Sequence, residues 1–235
     1  MKFPSLLVAL AGLASVAAAA DPNLIPNWNF ADATPLKGYR FQYPGQEQYV
    51  TNGKFVSQKA MLGKKCAELD LPAGVAETQG AKIETALVPI EPGATYHVEV
   101  GCLQWDYTAK IHAEVFAPDP RTDVVREDTE SKGRRITIFR IPAGDGKPAL
   151  VMCYRAQLPD PSGDAKKWIK TEREFTVPLE VTVAKEKVKP MYASIKVVVI
   201  GGHAAGKSYY SDFKLVKTKA PGAVPAPKDG IGVVR

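Results

Sequence analysis

Residues 201–208 have the residue order of a phosphate-binding loop. Gly201 and Gly206 bracket four residues, and Lys207 and Ser208 follow directly, which is the pattern of loops that bind nucleotide phosphates. Such a loop needs a helix directly after it, because backbone amides at the helix N-terminus hold the phosphates. Residues 209–216 instead alternate between apolar and polar side chains, which is typical of a strand. We therefore predict a glycine-rich loop between two strands, and no nucleotide binding.

Two histidine–glutamate pairs have the chemistry of metal ligands. His97 and Glu99 lie on the same side of a predicted strand, and His112 and Glu114 do so on the next one. Imidazole and carboxylate groups suit zinc. If the two strands are neighbours, the four groups can form a transition-metal site. The alternative is that both pairs belong to the solvated face of a sheet.

The sequence carries no pattern of an enzyme active site. Its serines and histidines show neither a nucleophile elbow nor a zincin motif, and nothing places a base beside Cys153. Glycosidases need two carboxylates at a set separation, which 25 acidic residues can provide by chance. We therefore predict that the protein is not an enzyme.

Sugar binding has better candidates. It needs aromatic faces that stack on the ring and polar groups that bind the hydroxyls. Trp105, Asp106 and Tyr107 lie together at a predicted strand end or loop, and Tyr154 with Arg155 forms a second group. The alternative for Trp105 is packing at one end of the core.

The elements that carry these residues are predicted strands. Apolar and polar residues alternate at 67–71, 96–100, 111–115 and 175–177, and more apolar, central strands are predicted at 136–141, 149–154, 179–183 and 195–200. Glycine and proline turns separate them, and 118–135 and 157–170 are predicted long loops. After residue 21 no segment keeps a helical period over twelve residues. This indicates an all-β sandwich.

The first twenty residues have the order of a cleavable secretory signal peptide. Lys2 gives a positive start, residues 6–16 are apolar, and small residues at 17–20 form a cleavage site before Asp21. The alternative is a buried amino-terminal helix. We predict export, to a secreted, periplasmic or cell-envelope location, and no membrane span in the mature chain. The predicted domain is 21–217, followed by a Pro/Ala-rich tail at 218–235.

The charge distribution bears on nucleic-acid binding, and the cysteine content bears on disulfide formation. The net charge of +6 comes from 31 basic and 25 acidic residues that are scattered rather than clustered, so we predict no nucleic-acid binding. Outside the cytoplasm two of the three cysteines could pair. At most one disulfide is expected, and the sequence does not choose among Cys66, Cys102 and Cys153.

Four segments, taken in order, resemble carbohydrate-binding modules of families four and nine: Asn23–Phe30, Ile90–Tyr96, Trp168–Pro178 and Tyr209–Leu215. The resemblance implies a galactose-binding-like jelly roll, a β-sandwich of two antiparallel sheets with few or no helices outside the signal peptide. It also implies that Trp28 and Trp168 pack in the core.

The same resemblance implies a structural calcium ion between the amino-terminal loop and the last strand. Asp212 and Asp32 are its candidate ligands, together with backbone carbonyls. The usual glutamate of the family opening is replaced by Ala31, and the first aspartate of the last-strand motif is Ser211. The alternative is that Asp212 only hydrogen-bonds a loop.

These observations predict an exported, non-catalytic binding module whose ligand is a polysaccharide or glycan. The alternative is a structural or protein-interaction component of the cell envelope built on the same sandwich, because fold alone does not set function.

Overall fold

A computed structural model of the 235-residue chain provides the fold. It describes residues 22–34, 37–42, 54–57, 65–71, 81–104, 108–121, 126–131, 134–141, 143–144, 146, 148–161, 167–200 and 206–222. Within these ranges the chain forms fifteen strands and no helix. The predicted all-β class is confirmed.

The strands, in chain order, are β1 (Tyr39–Gln42), β2 (Lys54–Ser57), β3 (Lys65–Leu71), β4 (Ala81–Thr85), β5 (Val88–Pro89), β6 (Thr95–Gln104), β7 (Thr108–Pro118), β8 (Arg126–Ser131), β9 (Arg134–Ile141), β10 (Leu150–Gln157), β11 (Ile169–Thr176), β12 (Val181–Val183), β13 (Glu186–Val188), β14 (Tyr192–Ile200) and β15 (Gly206–Lys219).

The strands form two large antiparallel sheets and one small hairpin. Sheet A has the order β1-β4-β14-β7-β10-β9-β8, and β5 also pairs with β14. Sheet B has the order β11-β6-β15-β3-β2, and β12 pairs only with β13. Most hydrogen-bonded strands in each sheet are not consecutive in sequence, because the chain crosses repeatedly from one sheet to the other.

The core lies between the two sheets and explains the period of two in the sequence. Tyr96 and Val98 on β6 share one buried cluster with Ile111 on β7 and Val197 on β14. The residues between them, such as His97, face outward. Burying each large apolar side chain contributes about 1.5–3 kcal/mol. The predicted jelly-roll β-sandwich of two antiparallel sheets is confirmed.

Asn23 fastens the amino-terminal segment to the last strand. Its side-chain Oδ1 accepts from the backbone amides of Leu215 (2.9 Å) and Ile25 (3.1 Å), and its Nδ2 donates to the carbonyl of Phe213 (2.9 Å). The amide of Leu24 donates to the carbonyl of Leu215. The segment 23–25 therefore runs along β15.

Several sequence-based predictions of local structure are wrong. The apolar segment 179–183 is not a central strand, because only 181–183 form the short β12 and Leu179 is 51% exposed. The loop predicted at 118–135 contains β8, whose residues Arg126–Ser131 include no apolar side chain and give no periodic signal. Trp28 lies in a turn and is 40% exposed instead of packing in the core.

The ends of the chain lie largely outside the described ranges. β15 continues to Lys219, two residues into the predicted tail, whereas the predicted signal peptide at 1–20 and residues 223–235 are not described. Within the described ranges, no helix is long and apolar enough to cross a bilayer.

Candidate functional site

The outward surface of sheet A carries a set of mostly buried charged and polar side chains, which we call the charged face. The strand register places Arg40 opposite Glu84, Glu84 opposite Lys196, and Lys196 opposite His112. One row along, Glu114 lies opposite Ser194 and Arg155. The charged face consists of Arg40, Glu84, His112, Glu114, Arg155, Ser194 and Lys196.

Ion pairs connect these side chains across five adjacent strands. Lys196 Nζ lies 3.1 Å from Glu114 Oε2 and 3.8 Å from Glu84 Oε2. Arg155 Nη2 lies 2.6 Å from Glu114 Oε1, and Arg40 Nη2 lies 2.8 Å from Glu84 Oε1. Each carboxylate thus has two cationic neighbours, and three cations against two carboxylates leave one net positive charge.

Burial makes this network sensitive to charge. The side chains of Glu84 and Glu114 are each 2% exposed and that of Lys196 is 6% exposed. Burial alone would raise the pKa of Glu114, but the positive charges of Lys196 and Arg155 outweigh it and hold that pKa well below its usual range. Glu114 is therefore ionised throughout the physiological pH range.

His112 lies beside this network as a neutral imidazole. Burial lowers its pKa to about 4, and the nearby charge of Arg155 acts in the same direction. Neither His112 Nδ1 nor Arg155 Nε has a hydrogen-bond partner among the residues that the structure describes, although both atoms are buried. Leaving a buried polar atom unsatisfied costs about 1–3 kcal/mol. The part of the charged face that solvent reaches is the side chains of Arg40 and Arg155, which are 35% and 20% exposed.

The structure separates the two predicted sugar-binding residues of β10. Arg155 belongs to the charged face, whereas Tyr154 is only 2% exposed and lies in the core. Its ring stacks on Phe175 with a centroid distance of 6.2 Å. A bulge between Met152 and Tyr154 shifts the register of β10. The prediction that Tyr154 contacts a sugar is corrected, because neighbouring strand residues face opposite sides.

Trp105, Asp106 and Tyr107 lie outside the described residues. The strands on either side are described: β6 in sheet B ends at Gln104, and β7 in sheet A begins at Thr108. The segment therefore joins the two sheets and leads directly into the strand that supplies His112 and Glu114. The role of the three residues stays a prediction.

The two predicted histidine–glutamate pairs do not meet. His97 and Glu99 lie on β6 in sheet B, and His112 and Glu114 lie on β7 in sheet A. The condition for a four-ligand site, that the two strands are neighbours, is not met, because β6 and β7 belong to different sheets. Instead, Glu172 of the neighbouring strand β11 approaches His97 and Glu99.

Trp168 packs on the outward surface of sheet B, and not in the main core. It contacts a buried cluster of Cys66, Leu103 and Tyr209. Each of these three alternates with residues that face the core. Among the described residues, the buried indole Nε1 of Trp168 has no hydrogen-bond partner.

The candidate calcium ligands lie in different surroundings. Asp32 is exposed, and its backbone amide donates to Asn27 Oδ1 at 3.0 Å. Asp212 sits at a bulge of β15 with a left-handed φ of 52°. Within the described ranges, neither belongs to a group of three potential metal ligands, and Asn23 already links the amino-terminal segment to β15. The calcium ion stays a prediction.

The phosphate-loop pattern falls on a strand where a nucleotide-binding loop would need a helix. Lys207 and Ser208 belong to β15, and residues 201–205 are outside the described ranges. Lys207 Nζ lies 3.3 Å from Glu68 Oε1 on β3. The predicted strand after the glycine-rich segment is confirmed.

All three cysteines are buried thiols in the structure. Burial raises the pKa of the Cys153 thiol to about 12. Its Sγ donates to the carbonyl of Val115 at 3.4 Å. Such a thiol is unsuited to act as a nucleophile.

Sequence reasoning missed Glu84 and Lys196, which are central to the charged face. The sequence does mark Lys196 as unusual, because it is the single charged residue in the apolar run of β14. A charge in such a run has to be paired when it is buried. Glu84 alternates with Ala81 and Ile83 in the same way as the residues of recognised strands.

No family model matches the chain, and no curated protein matches it. Solved structures similar to it include a family 61 carbohydrate-binding module in complex with β-1,4-galactotriose, with 14% identity, a TM-score of 0.43, and coverage of 83% of this chain and 99% of the module. A family 4 carbohydrate-binding module has 12% identity and a TM-score of 0.44, with coverage of 83% and 99%. The predicted resemblance to carbohydrate-binding modules is confirmed as a structural similarity.

Enzymes are also among the similar structures. An arabinose-bound α-L-arabinofuranosidase has 12% identity and a TM-score of 0.47, with 84% of this chain covered. This chain covers 26% of that enzyme. Since all three TM-scores are below 0.5, any function has to rest on the chain's own residues.

Proposed function

We propose that the protein is a non-catalytic module that binds carbohydrate at the charged face of sheet A. The supporting observation is the charged face itself, where ionised side chains hold one another in place and the partly exposed guanidinium groups of Arg40 and Arg155 can contact a ligand. Sugar hydroxyls both donate and accept hydrogen bonds. Their oxygens can accept hydrogen bonds from the guanidinium donors that this surface presents.

Preorganisation favours binding at this surface. Lys196 is fixed between Glu84 and Glu114, and Arg155 is fixed by Glu114. Because these side chains lose little additional freedom when a ligand arrives, less of the interaction energy is spent on ordering them.

Trp105 and Tyr107 are the proposed stacking residues, with Asp106 as a hydroxyl acceptor. Their segment leads into β7, and the backbone from Thr108 to His112 spans about 13 Å at the usual rise of a strand. A glycan of a few sugar units can thus contact the aromatic segment and the charged face together. Arg155 would orient its hydroxyls.

The electrostatics make Glu114 unsuited to be the general acid of a glycosidase. A glycosidase needs one carboxylic acid whose pKa is raised so that it can protonate the leaving group. The charges of Lys196 and Arg155 instead lower the pKa of Glu114. The predicted signal peptide at 1–20 would place this binding activity outside the cytoplasm, in a secreted or periplasmic location.

A glycan array probed with the purified protein tests the proposal. Arg155→Lys keeps the charge beside Glu114 but removes Nε and the planar fork, so we expect about 10-fold weaker binding to the glycans that the array identifies. Arg121→Lys is the matched control, because Arg121 pairs with the buried Asp119 outside the charged face.

Two outcomes would count against carbohydrate binding at this face. The first is equal loss of affinity in Arg155→Lys and Arg121→Lys. The second is no retention on any neutral or acidic glycan. Co-purification with an envelope protein, in the absence of glycan binding, would favour the structural or interaction role.

A further inference from the structure

We propose that His97, Glu99 and Glu172 form a binding site for a divalent transition metal, with zinc as the best-fitting ion. The site lies on the outward surface of sheet B. It is separate from the charged face of sheet A and does not depend on carbohydrate binding.

Two neighbouring strands bring the three side chains together. Glu99 on β6 lies directly opposite Glu172 on β11. His97 lies two residues before Glu99 on β6 and therefore on the same side of the sheet. The potential ligand atoms all lie within 4.8 Å of one another, and this is the only such group of three among the described residues.

The contact between His97 and Glu99 is a long hydrogen bond, and its length also fits two neighbouring ligand atoms of a zinc ion. His97 Nε2 lies 3.5 Å from Glu99 Oε2 and 3.6 Å from Glu172 Oε2. Bonds of about 2.0–2.2 Å in a tetrahedral site hold neighbouring ligand atoms about 3.3–3.6 Å apart. Hydrogen bonds between nitrogen and oxygen are shorter, usually about 2.7–3.2 Å. The imidazole is therefore spaced from both carboxylates as a co-ligand would be.

The two carboxylate oxygens of Glu99 have different neighbours, so one can bind a lysine while the other binds the proposed metal. Its Oε1 lies 3.0 Å from Lys170 Nζ, while its Oε2 faces His97. Lys170 thus fixes the orientation of the carboxylate without occupying the oxygen that would bind the ion. This is the arrangement in which a neighbouring polar group orients a metal ligand.

Access and charge also suit a bound ion. Glu172 is 55% exposed and His97 is 23% exposed, so an ion can enter from solvent. A fourth coordination position would remain for water or for a ligand. The two carboxylates carry two negative charges, which a divalent cation would neutralise together with the Lys170 ammonium beside Glu99 Oε1.

Isothermal titration calorimetry of the chelator-treated protein with Zn²⁺ alone tests the site. We expect one ion per chain, and affinity at least about 10–100-fold weaker in His97→Ala and in Glu172→Gln. Glu174→Gln is the matched control, because Glu174 lies opposite His97 on β11 but is not in the group. His203→Ala controls for binding by another imidazole.

A second readout separates metal binding from loss of folding. The visible absorption of bound Co²⁺ should be present in the wild-type protein and in Glu174→Gln, and absent in His97→Ala, with thermal unfolding unchanged. The proposal is overturned if no ion binds. It is also overturned if binding is equal in wild type, His97→Ala and Glu172→Gln, or is lost only when the cysteines are alkylated.

Discussion

Replacing Lys196 by methionine should destabilise the protein strongly, because it removes the cation shared by two buried carboxylates. Lys196 Nζ is 3.1 Å from Glu114 and 3.8 Å from Glu84, and all three side chains are almost fully buried. Removing one partner from a buried ion pair usually costs about 3–5 kcal/mol. Each carboxylate keeps one arginine, so we expect the lower end, about 3 kcal/mol. Methionine keeps a similar volume, which limits any contribution from packing.

Urea denaturation monitored by circular dichroism would measure this change. Lys217→Met is the matched control, since Lys217 Nζ also lies 3.1 Å from a carboxylate, that of Glu91, but both side chains are substantially exposed. Exposed pairs contribute about 0–1 kcal/mol. A change below about 1 kcal/mol in Lys196→Met, or one equal to that of Lys217→Met, would refute the view that buried charges hold the charged face together.

Three further outcomes follow from the same structure. The pKa of His112 is lowered to about 4 in the folded protein, so its neutral form contributes stability above pH 6.5 that is lost as the pH falls towards 4. This loss in the free energy of unfolding is up to about 3 kcal/mol. Urea denaturation of His112→Gln should show no such loss between pH 6.5 and 4.5. If the free energy of unfolding of the variant falls with pH as steeply as that of the wild type, the assignment is contradicted. Asn23→Ala removes three hydrogen bonds of the amino-terminal segment 23–25 and β15. The free energy of unfolding, measured by urea denaturation, should fall by about 2–3 kcal/mol. A change near zero would mean that this side chain does not hold the segment on β15. A thiol reagent should modify less than one cysteine per native chain and all three after unfolding, because burial excludes the reagent; rapid native labelling would contradict that burial.

The strands predictable from the sequence were those with an alternating or a continuously apolar pattern, and the apolar runs at 149–154 and 195–200 correspond to β10 and β14. Residues 96–100 and 111–115 alternate, and they lie in β6 and β7 as predicted. β8 has only polar and charged residues, so no hydrophobic pattern could reveal it. Trp28 was placed in the core from its position in a family-like motif, but burial depends on the turn that carries it.

The candidate site was less predictable, because it depends on which strands pair. Arg155 was identified, but Glu84 and Lys196 join it only through β4 and β14, which are distant in sequence. Tyr154 was misplaced because the sequence does not show which face of β10 meets the core. His97 and His112 do not meet because β6 and β7 lie in different sheets, while Glu172 becomes a neighbour of His97 through the register of β6 and β11.

Carbohydrate affinity of Trp105→Ala, compared with Trp28→Ala, tests the proposed function most directly. Both variants remove one indole ring, and Trp28 is an exposed tryptophan in the amino-terminal turn. Calorimetric titration with the preferred oligosaccharide should show at least about 10-fold weaker binding for Trp105→Ala, since loss of ring stacking costs about 1.4 kcal/mol or more. Trp28→Ala should match the wild type. Equal affinities in all three proteins, or no binding of any oligosaccharide by the wild type, would contradict the proposal.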